Sequence, residues 1–451
     1  MNIDILFFNE NFNNKEEHIS DLDSFNEYVS THNFDGKSKD TLLMPASLSS
    51  RGNKTILASI DNSNKKDLLE VGHSIGKKIK ESATIDIINF EGNRDSLILG
   101  ILFSQYRFDS YKSKKGKDVI DLIFSESIDV ESNSLKKEAV FWVRDMINTP
   151  SLDKTPEFFI DEIKTLNDEI DIQVYDEQWL EENNFGAVLG VAKGSVRKPY
   201  FLVGEYNTKA KIQIALIGKG VMFDSGGLSL KSPAGMDTMK TDMAGAATAW
   251  GVMSLISKHK IDVGLTVFTP IVENMPSGSA IRPGDVLQAR NGKTIEVLNT
   301  DAEGRLIMAD ALAYASERKP DLICDVATLT GASYVALGVD IGAVFSNNKQ
   351  VEDNFMESTK VSGEEFYPLP LHGDYKKLID SDIADMKNTG GRFGGAITAA
   401  LLLENFIDDL DWVHLDIAGP ARSSNRKGAT GFSVLTLFEF FSSFSKNHPE
   451  S

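Results

Sequence analysis

The sequence is poor in cysteine: of its 451 residues only one, Cys324, is a cysteine, and it lies in the apolar segment DLICDVATL. A single cysteine excludes a disulfide framework within the chain, which indicates a reducing compartment. We expect a buried core thiol at this position rather than a nucleophile, because no activating group stands next to it in the sequence.

Long apolar runs are also missing. No stretch approaches the roughly 18 apolar residues that a membrane-spanning helix needs. The amino-terminal segment MNIDILFFNENFNNKEE has neither the basic start nor the long apolar core of a signal peptide. These two absences predict a cytoplasmic protein without a membrane partner.

Positive charge is scarce, since 47 lysine and arginine residues face 66 aspartate and glutamate residues, a formal net charge of -19. Such a surface repels nucleic-acid phosphates and suits small or neutral partners. One local basic cluster, YKSKKGKD at Tyr111–Asp118, keeps a DNA-binding scaffold role open as an alternative. A solvated loop is the more common explanation of such a run, so a nucleic-acid partner is not expected.

The first third of the chain alternates two kinds of segment. Short β-branched runs predict strands at Lys54–Ile60, Thr84–Phe90 and Asp118–Phe124, and the segments between them, Lys65–Glu81 and Asp95–Phe108, have helical periodicity. A βαβα order of this kind is typical of a mostly parallel sheet that is covered by helices.

A long helix is predicted at Ser132–Ile147, and the prolines of NTPSLDKTP end it. We therefore divide the chain into an amino-terminal α/β domain, residues 1–131, a linker helix, residues 132–150, and a carboxyl-terminal catalytic domain, residues 151–451. The predicted fold class is α/β, with two domains joined by that helix. Each domain is expected to hold a mostly parallel or mixed sheet with helices on both faces.

The second part of the chain carries glycine-rich turns beside apolar strands. Ile212–Gly218 is predicted as a buried strand, and Ala244–Ile256 is predicted as a tightly packed helix of small residues. Ligands of open α/β sheets gather at the carboxyl ends of the strands. The polar residues of this region cluster at those ends, so we expect the functional site there.

Three strand-end segments supply carboxylates and lysines to this predicted site. The segments are KGVMFDSGGLSLK, MDTMKTDMAGAA and NTDAEGRL, and their candidate residues are Lys219, Asp224, Lys231, Asp242, Asp301 and Glu303. Burying ionised carboxylates without partners is very costly. Two divalent metal ions would neutralise four of them, which predicts a two-metal centre.

The segment NTDAEGRL places charged residues at every second position. If it is extended, Asp301 and Glu303 point to the same side, toward the metals, with Arg305 just beyond. Oxygen ligands suit Mg²⁺ or Mn²⁺ and are also accepted by Zn²⁺. Taken singly, each of these residues is as readily explained by a solvated loop, a helix N-terminus or a surface ion pair.

The motif NTDAEGRL resembles the signature of the cytosolic leucine aminopeptidase family, which are two-metal exopeptidases. The segments GKGVMFDSGGLSLK, MDTMKTDMAGAA, DVATLTGA, GGAITAALLLENF and WVHLDIAGPA resemble other blocks of that family. This resemblance extends over the carboxyl-terminal two thirds of the chain and implies an aminopeptidase that acts on peptides with a free N-terminus.

The resemblance also implies roles for individual residues. The metal ligands are then Lys219, Asp224, Asp242, Asp301 and Glu303. Two of them, Asp224 and Glu303, are implied to bridge both ions, which would be Mn²⁺ or Zn²⁺, or else Mg²⁺. Of the two remaining functional residues, Lys231 is implied to stabilise the carbonyl oxygen and Arg305 to hold a bicarbonate ion.

The activity implied in this way is hydrolysis by a metal-bridged hydroxide, with the substrate's α-amine bound to a metal. By the same resemblance, Met239, Thr328 and Leu329 lie near the first substrate residue. A methionine in such a pocket is adaptable, which predicts a broad preference for leucine-like residues. Homohexamers are implied by the resemblance as well. A two-metal phosphoesterase stays open as an alternative, because such sites also clamp phosphates.

Overall fold

The computed structural model describes residues 1–7, 15–37, 39–60, 64–116, 120–125, 129–423 and 428–447. The chain forms two compact units. The first contains Met1–Glu138 and Lys360–Gly363, and the second contains Ala139–Thr359 and Glu364–Ser451.

The first unit is built around a five-stranded sheet with the order β2-β3-β1-β4-β5. Its strands are β1 Asn2–Phe7, β2 Thr41–Met44, β3 Lys54–Ala58, β4 Ala83–Ile88 and β5 Leu122–Phe124. Its helices are α1 Lys15–His18, α2 Leu22–Thr31, α3 Lys65–Lys78 and α4 Arg94–Phe103. Only the pairing of β2 with β3 is antiparallel among the described strands of this sheet.

Helices cover both faces of this first sheet. Alternate residues of β1 point to opposite faces: Ile5 joins a core with α3 and α4, and Leu6 joins a separate core with Phe25 of α2. Glycines bring α3 and α4 together, since a Cβ on Gly72 would lie 2.1 Å from the carbonyl oxygen of Leu97.

Two sequence predictions for this first unit fall partly outside the described residues. Residues 118 and 119 of the strand predicted at Asp118–Phe124 are not described, and the observed strand covers Leu122–Phe124. The same applies to Lys117 and Asp118 of the basic cluster, whose described part, residues 111–116, is exposed.

The helix α5 Val130–Asn148 contains the division between the units. The strands that follow it are β6 Asp171–Tyr175, β7 Tyr200–Tyr206, β8 Gln213–Gly218, β9 Gly220–Asp224, β10 Gly264–Asn274, β11 Asp285–Gln288, β12 Thr294–Val297, β13 Leu322–Ala327, β14 Gly342–Ser346, β15 Phe366–Pro368, β16 Met386–Lys387, β17 Trp412–Asp416, β18 Arg422–Ser423 and β19 Gly428–Ala429. The helices that follow it are α6 Pro156–Lys164, α7 Glu177–Glu182, α8 Gly186–Ala192, α9 Pro233–Met236, α10 Ala244–Lys258, α11 Gly304–Ser316, α12 Gly331–Leu337, α13 Lys349–Ser362, α14 Gly395–Leu403 and α15 Val434–Asn447.

The second unit is organised by a mixed sheet with the order β15-β14-β17-β13-β8-β10-β7-β6, and β9 also pairs with β10. Its centre is parallel, because β17, β13, β8 and β10 run in the same direction. The carboxyl ends of these central strands therefore meet at one edge of the sheet. Both α10 and α11 pack against β8.

Two helix-covered sheets confirm the predicted α/β class. Cys324 lies in the middle of β13, fully buried and unpaired, as expected. In the described part of the chain, no helix is both long and apolar enough to cross a membrane.

Candidate metal centre

The candidate site begins where β8 ends. Lys219 follows the last residue of β8, and its backbone N–H donates to the carbonyl oxygen of Val326 in β13. The next strand, β9, ends at Asp224, and Thr328 directly follows the end of β13. Three candidate side chains therefore start from the same edge of the sheet.

Small residues allow α10 to approach this edge closely. A Cβ on Gly245 would lie 2.1 Å from the carbonyl oxygen of Val326 and 2.9 Å from the backbone nitrogen of Lys219. The 3-10 helix Met239–Thr241 ends immediately before Asp242, which stands two residues ahead of α10. The glycine and alanine residues of this helix thus bring Asp242 beside the strand ends.

The segment NTDAEGRL is not extended, so the condition under which Asp301 and Glu303 would point to the same side of a strand does not hold. Asp301 lies in a turn, where its N–H donates to the side chain of Asn299 over 2.9 Å. Glu303 has helical dihedral angles, φ -74 and ψ -34, and its carbonyl oxygen accepts from Ile307 in the first turn of α11. The hydrogen bonds of the turn and of the helix start replace the alternation of a strand.

Lys219 joins two carboxylates of the cluster. Its Nζ lies 2.8 Å from Oδ1 of Asp242 and 2.9 Å from Oε1 of Glu303, and it donates to the carbonyl oxygen of Thr328 over 2.9 Å. Gly304 makes this arrangement possible, because a Cβ there would lie 2.5 Å from Cε of Lys219.

Lys231 joins the other two carboxylates. Its Nζ lies 2.8 Å from Oδ2 of Asp224 and 2.5 Å from Oδ1 of Asp301. The opposite oxygen of Asp224 accepts from the N–H of Gly226 and from Nδ2 of Asn274, each over 2.8 Å. Both oxygens of Asp224 are therefore directed by neighbouring donors.

Three buried carboxylates could share a metal ion. Asp224, Asp242 and Glu303 each offer an oxygen atom, and these atoms lie within 4.8 Å of one another. In the described part of the chain, Oδ2 of Asp242 and Oε2 of Glu303 are buried without a hydrogen-bond partner. Unpartnered buried carboxylate oxygens fit hard divalent cations, so these residues suit the metal centre that the sequence predicts.

The pKa values of the carboxyl groups show how strongly the cluster favours positive charge. Burial raises the pKa of Asp224 to about 7, and the Glu303 carboxylate pushes it in the same direction. Burial likewise raises the pKa of Asp242. Burial acts in the same sense on Glu303, but the charges of Lys219 and Lys231 outweigh it and hold its pKa at about 2. The raised pKa values of Asp224 and Asp242 mean that these two carboxyl groups ionise more readily beside further cations.

Arg305 lies behind the cluster, in the first turn of α11. It is buried, and its Nη1 donates to the carbonyl oxygen of Asn388 over 2.8 Å. Its Nε has no hydrogen-bond partner among the described residues. Burial lowers its pKa to about 10, although Glu303 and Asp416 act in the opposite direction. A buried guanidinium with an unused donor is suited to binding a small anion.

A cavity of about 740 Å³ opens onto the cluster. All the predicted site residues except Arg305 are among those that line it: Lys219, Asp224, Lys231, Met239, Asp242, Asp301, Glu303, Thr328 and Leu329. Thr328 also donates through Oγ1 to Asp242 over 2.8 Å. A cavity of this size can hold a short peptide.

Two asparagines that support the site were not identified from the sequence. Asn274, at the end of β10, donates to Asp224 and to the carbonyl oxygen of Thr300. The position of Asn274 at the carboxyl end of a strand could have identified it as a site residue. Asn388 is fully buried, and its Oδ1 accepts from Leu298 and Asn299 while its Nδ2 donates to the carbonyl oxygen of Asn299. Nothing in the local sequence of Asn388 indicates contacts with residues almost ninety positions away.

Comparison with known proteins identifies the second unit. The family model described as "Cytosol aminopeptidase family, catalytic domain" matches residues 141–438. A protein named "Probable cytosol aminopeptidase" from Syntrophotalea carbinolica is 43% identical over 365 residues, which are 76% of this chain and 73% of that protein.

Solved structures resemble the chain over nearly its whole length. The bottromycin maturation enzyme BotP in complex with Mn matches with a TM-score of 0.89 and 28% identity, over 98% of this chain and 99% of that one. The cytosol aminopeptidase from Coxiella burnetii matches with a TM-score of 0.88 and 29% identity, over 98% of this chain and 97% of that one.

Proposed function

Because this chain belongs to the cytosol aminopeptidase family, whose members are metal-dependent exopeptidases, we propose how its residues divide the work of removing N-terminal residues from peptides. The observation that carries the proposal is the buried cluster of Asp224, Asp242 and Glu303, with unpartnered oxygens on two of them. Burying three carboxylates side by side costs free energy, and divalent cations bound between them would offset that cost.

Five residues would hold the two metal ions. In this proposal Asp224 and Glu303 would be ligands shared by both ions, Lys219 and Asp242 would complete the tighter site, and Asp301 would belong to the more exchangeable one. The partly exposed side chain of Asp301 supports the last assignment, because it is the least buried carboxylate of the four. Lys219 would bind as a neutral amine after losing its proton, which nearby dications favour.

When bound, divalent ions of this kind supply a water molecule of lowered pKa and polarise the scissile carbonyl. Lys231 would donate to the carbonyl oxygen as negative charge develops on it. The position of its Nζ supports this role, because the carboxylates of Asp224 and Asp301 hold that ammonium at the cluster, where the lysine side chain is largely buried. Preorganised charge of this kind is the main source of transition-state stabilisation in hydrolases.

Arg305 would hold a bicarbonate ion that supplies general-base chemistry. Its unpartnered Nε and its burial support this assignment. The proton removed from water must reach the leaving amine, and the carboxylates of the cluster are engaged with Lys219 and Lys231. The free α-amine of the substrate would be bound at the cluster, which restricts cleavage to the first residue.

Leucine-like first residues would be preferred. Met239 and Leu329 line the cavity together with Thr328, and a methionine adapts its shape to different aliphatic side chains. The proposal includes assembly as a homohexamer in the cytoplasm, for which family membership is the support. Light scattering on the purified protein tests the hexamer.

The activity is tested with leucine p-nitroanilide and its N-acetylated form. We expect hydrolysis of the free-amine substrate that disappears with a chelator and returns with Mn²⁺ or Zn²⁺. The N-acetylated form is expected to stay intact under all conditions. Equal cleavage of both substrates, or no cleavage with any metal by folded protein, would contradict the proposal.

A further inference from the structure

We propose that Arg422, in the wall of the cavity, binds a carboxylate group of the substrate, so that a peptide with an acidic first side chain or a nearby C-terminal carboxylate is cleaved more efficiently than its uncharged amide counterpart. This inference deepens the proposed aminopeptidase function and rests on it. Arg422 lines the same cavity as the carboxylate cluster and is partly buried.

The backbone holds Arg422 in a fixed position. It begins β18, where it pairs antiparallel with Ala429 of β19. The residue before it, Ala421, donates its N–H to the carbonyl oxygen of Ile417, and Ile417 in turn donates to the carbonyl oxygen of Ala327 in β13. The guanidinium therefore extends from a segment tied to the same sheet edge as the cluster, which limits the cost of ordering it on binding.

Arg422 has no carboxylate partner among the described residues. The ion pairs of the cavity connect Lys219 and Lys231 with the four carboxylates of the cluster, and none of them includes Arg422. An arginine at the wall of a cavity without a counter-ion can form bidentate bonds with an incoming carboxylate.

Further positive charge lies beside Arg422. Burial lowers the pKa of Lys240, and the charge of Arg422 lowers it further. Lys240 donates through Nζ to the carbonyl oxygen of Asn148, and the fully buried Lys154 donates through Nζ to the carbonyl oxygen of Lys240 over 2.6 Å. Lys240 thus contacts a backbone oxygen rather than a carboxylate in the described structure, so it does not neutralise the charge of Arg422.

The neighbouring wall is neutral and leaves room for a ligand. Ala418, Gly419 and Ala421 line the cavity beside Arg422, and their side chains are small or absent. The uncharged residues Thr238 and Thr330 line it as well. A chain with a net charge of -19 generally repels anions. The guanidinium of Arg422 would therefore make this part of the cavity selective for a negatively charged group of the substrate.

Two parts of a peptide could supply the carboxylate. One is the side chain of an N-terminal aspartate or glutamate, and the other is the C-terminus of a dipeptide or tripeptide. The chemistry at Arg422 is the same in both cases, a planar carboxylate that accepts two N–H bonds from the guanidinium.

The test uses two pairs of substrates that differ only in this charge. The first pair is glutamate and glutamine p-nitroanilide, and the second is leucyl-glycine and leucyl-glycinamide. For each pair, the ratio of kcat/KM for the charged over the neutral substrate is measured with Mn²⁺-loaded wild type, Arg422→Gln and Arg422→Lys. We expect Arg422→Gln to lower the ratio of one pair about tenfold to a hundredfold, the range for a bond between charged groups.

Arg422→Lys should give an intermediate ratio, because lysine keeps the charge but loses the bidentate geometry. The control variant is Arg282→Gln, since Arg282 is exposed and pairs with Asp285 outside the cavity. Its ratios should equal those of wild type. A loss in the first pair assigns the carboxylate to the side chain, and a loss in the second assigns it to the C-terminus.

Ratios that Arg422→Gln leaves unchanged in both pairs would overturn the inference, even if the enzyme is active. If no substrate is hydrolysed by wild type with any metal, the proposed function itself fails. The same four compounds are then titrated as ligands by calorimetry in the presence of Mn²⁺. A preference of wild type for the charged member that Arg422→Gln removes would still support the inference, and equal affinities in both proteins would refute it.

Discussion

Lys219 and Lys231 have different positions in the carboxylate cluster, although both are lysines that contact two carboxylates. Lys219 is almost completely buried and also donates to a backbone oxygen. Lys231 keeps part of its side chain at the cavity. The neighbouring carboxylates, chiefly Asp224, outweigh burial and raise the pKa of Lys231, so its ammonium group is charged at neutral pH. We therefore assign the charge that faces the substrate to Lys231.

Replacing Lys231 with methionine tests this assignment, because methionine keeps the length of the side chain and removes its charge. We expect kcat to fall about 100-fold to 1000-fold, the usual loss for one donor to a developing oxyanion. KM should change much less, since the lost interaction acts mainly in the transition state. Steady-state kinetics with leucine p-nitroanilide measures both.

Metal content separates this effect from loss of the metals. Lys231→Met should bind the same number of Mn²⁺ ions as wild type by elemental analysis. The matched control is Lys376→Met, because Lys376 is exposed and pairs with Glu404 away from the cavity. A kcat within twofold of wild type in Lys231→Met would contradict the assigned role.

At the scale of helices and strands, α8 begins against a carboxylate that belongs to another helix. Asp310 of α11 is fully buried, and its Oδ2 accepts the N–H groups of Ala187 and Val188 in the first turn of α8. Its Oδ1 accepts the N–H of Arg290 over 2.8 Å. The Asp310 side chain thus caps the N-terminus of α8, where the N-cap residue Phe185 makes no side-chain hydrogen bond.

Replacing Asp310 with asparagine should destabilise the fold. The amide keeps one oxygen for α8, but its NH₂ group then faces the N–H of Arg290. The hydroxyl oxygen of the protonated carboxyl group can still accept from that N–H, whereas the NH₂ group cannot, so a buried donor is left without an acceptor. We expect a loss of about 1–3 kcal/mol in the free energy of unfolding at pH 5. Urea denaturation followed by circular dichroism measures it.

This loss should depend on pH. Burial raises the pKa of Asp310 to about 7 against the pull of the three N–H donors. The folded chain therefore keeps a proton on Asp310 that the unfolded chain releases near pH 4. The contribution of this proton to the free energy of unfolding is complete below about pH 4 and is lost as the pH rises to about 7. The stability difference between wild type and Asp310→Asn should narrow from pH 5 to pH 8. The exposed Asp171, replaced by asparagine, gives the control, and a constant difference would contradict the raised pKa.

The elements that could be predicted from the sequence are those with a local cause. The small residues around Gly245 predicted a tightly packed helix, and the apolar run before Lys219 predicted a buried strand at the site. The form of NTDAEGRL was missed, because a turn at Asp301 and a helix start at Glu303 outweigh a charge pattern that alternates like a strand. Asn388 and Asp310 were missed because their partners are distant in the sequence.

At the scale of the whole molecule, the metal centre connects segments that are far apart in the chain. Its candidate ligands come from three separate segments, which begin at Lys219, Asp242 and Asp301, and each precedes or follows an element of the central sheet or its covering helices. Metal ions that bind only the folded arrangement add their binding free energy to folding.

Chelation should therefore lower the stability of the second unit. With each free metal ion at a hundredfold excess over its dissociation constant, we expect about 2.7 kcal/mol of stabilisation per site. Thermal unfolding with EDTA, and then with excess Mn²⁺, measures the shift in midpoint. In Glu303→Gln the shift should be much smaller, because one of the carboxylates proposed to hold the metal ions is lost. Identical midpoints with and without metal in the wild type would contradict a resident metal centre.

The position of Cys324 has a practical consequence for spectroscopy. This thiol is the single cysteine of the chain, is fully enclosed in β13, and has a pKa raised well above its usual value by burial. Thiol reagents need an accessible thiolate, so the native protein offers them no target. A cysteine introduced at the almost fully exposed Val196 would carry a fluorophore or spin label at one defined position, with no native residue to remove first.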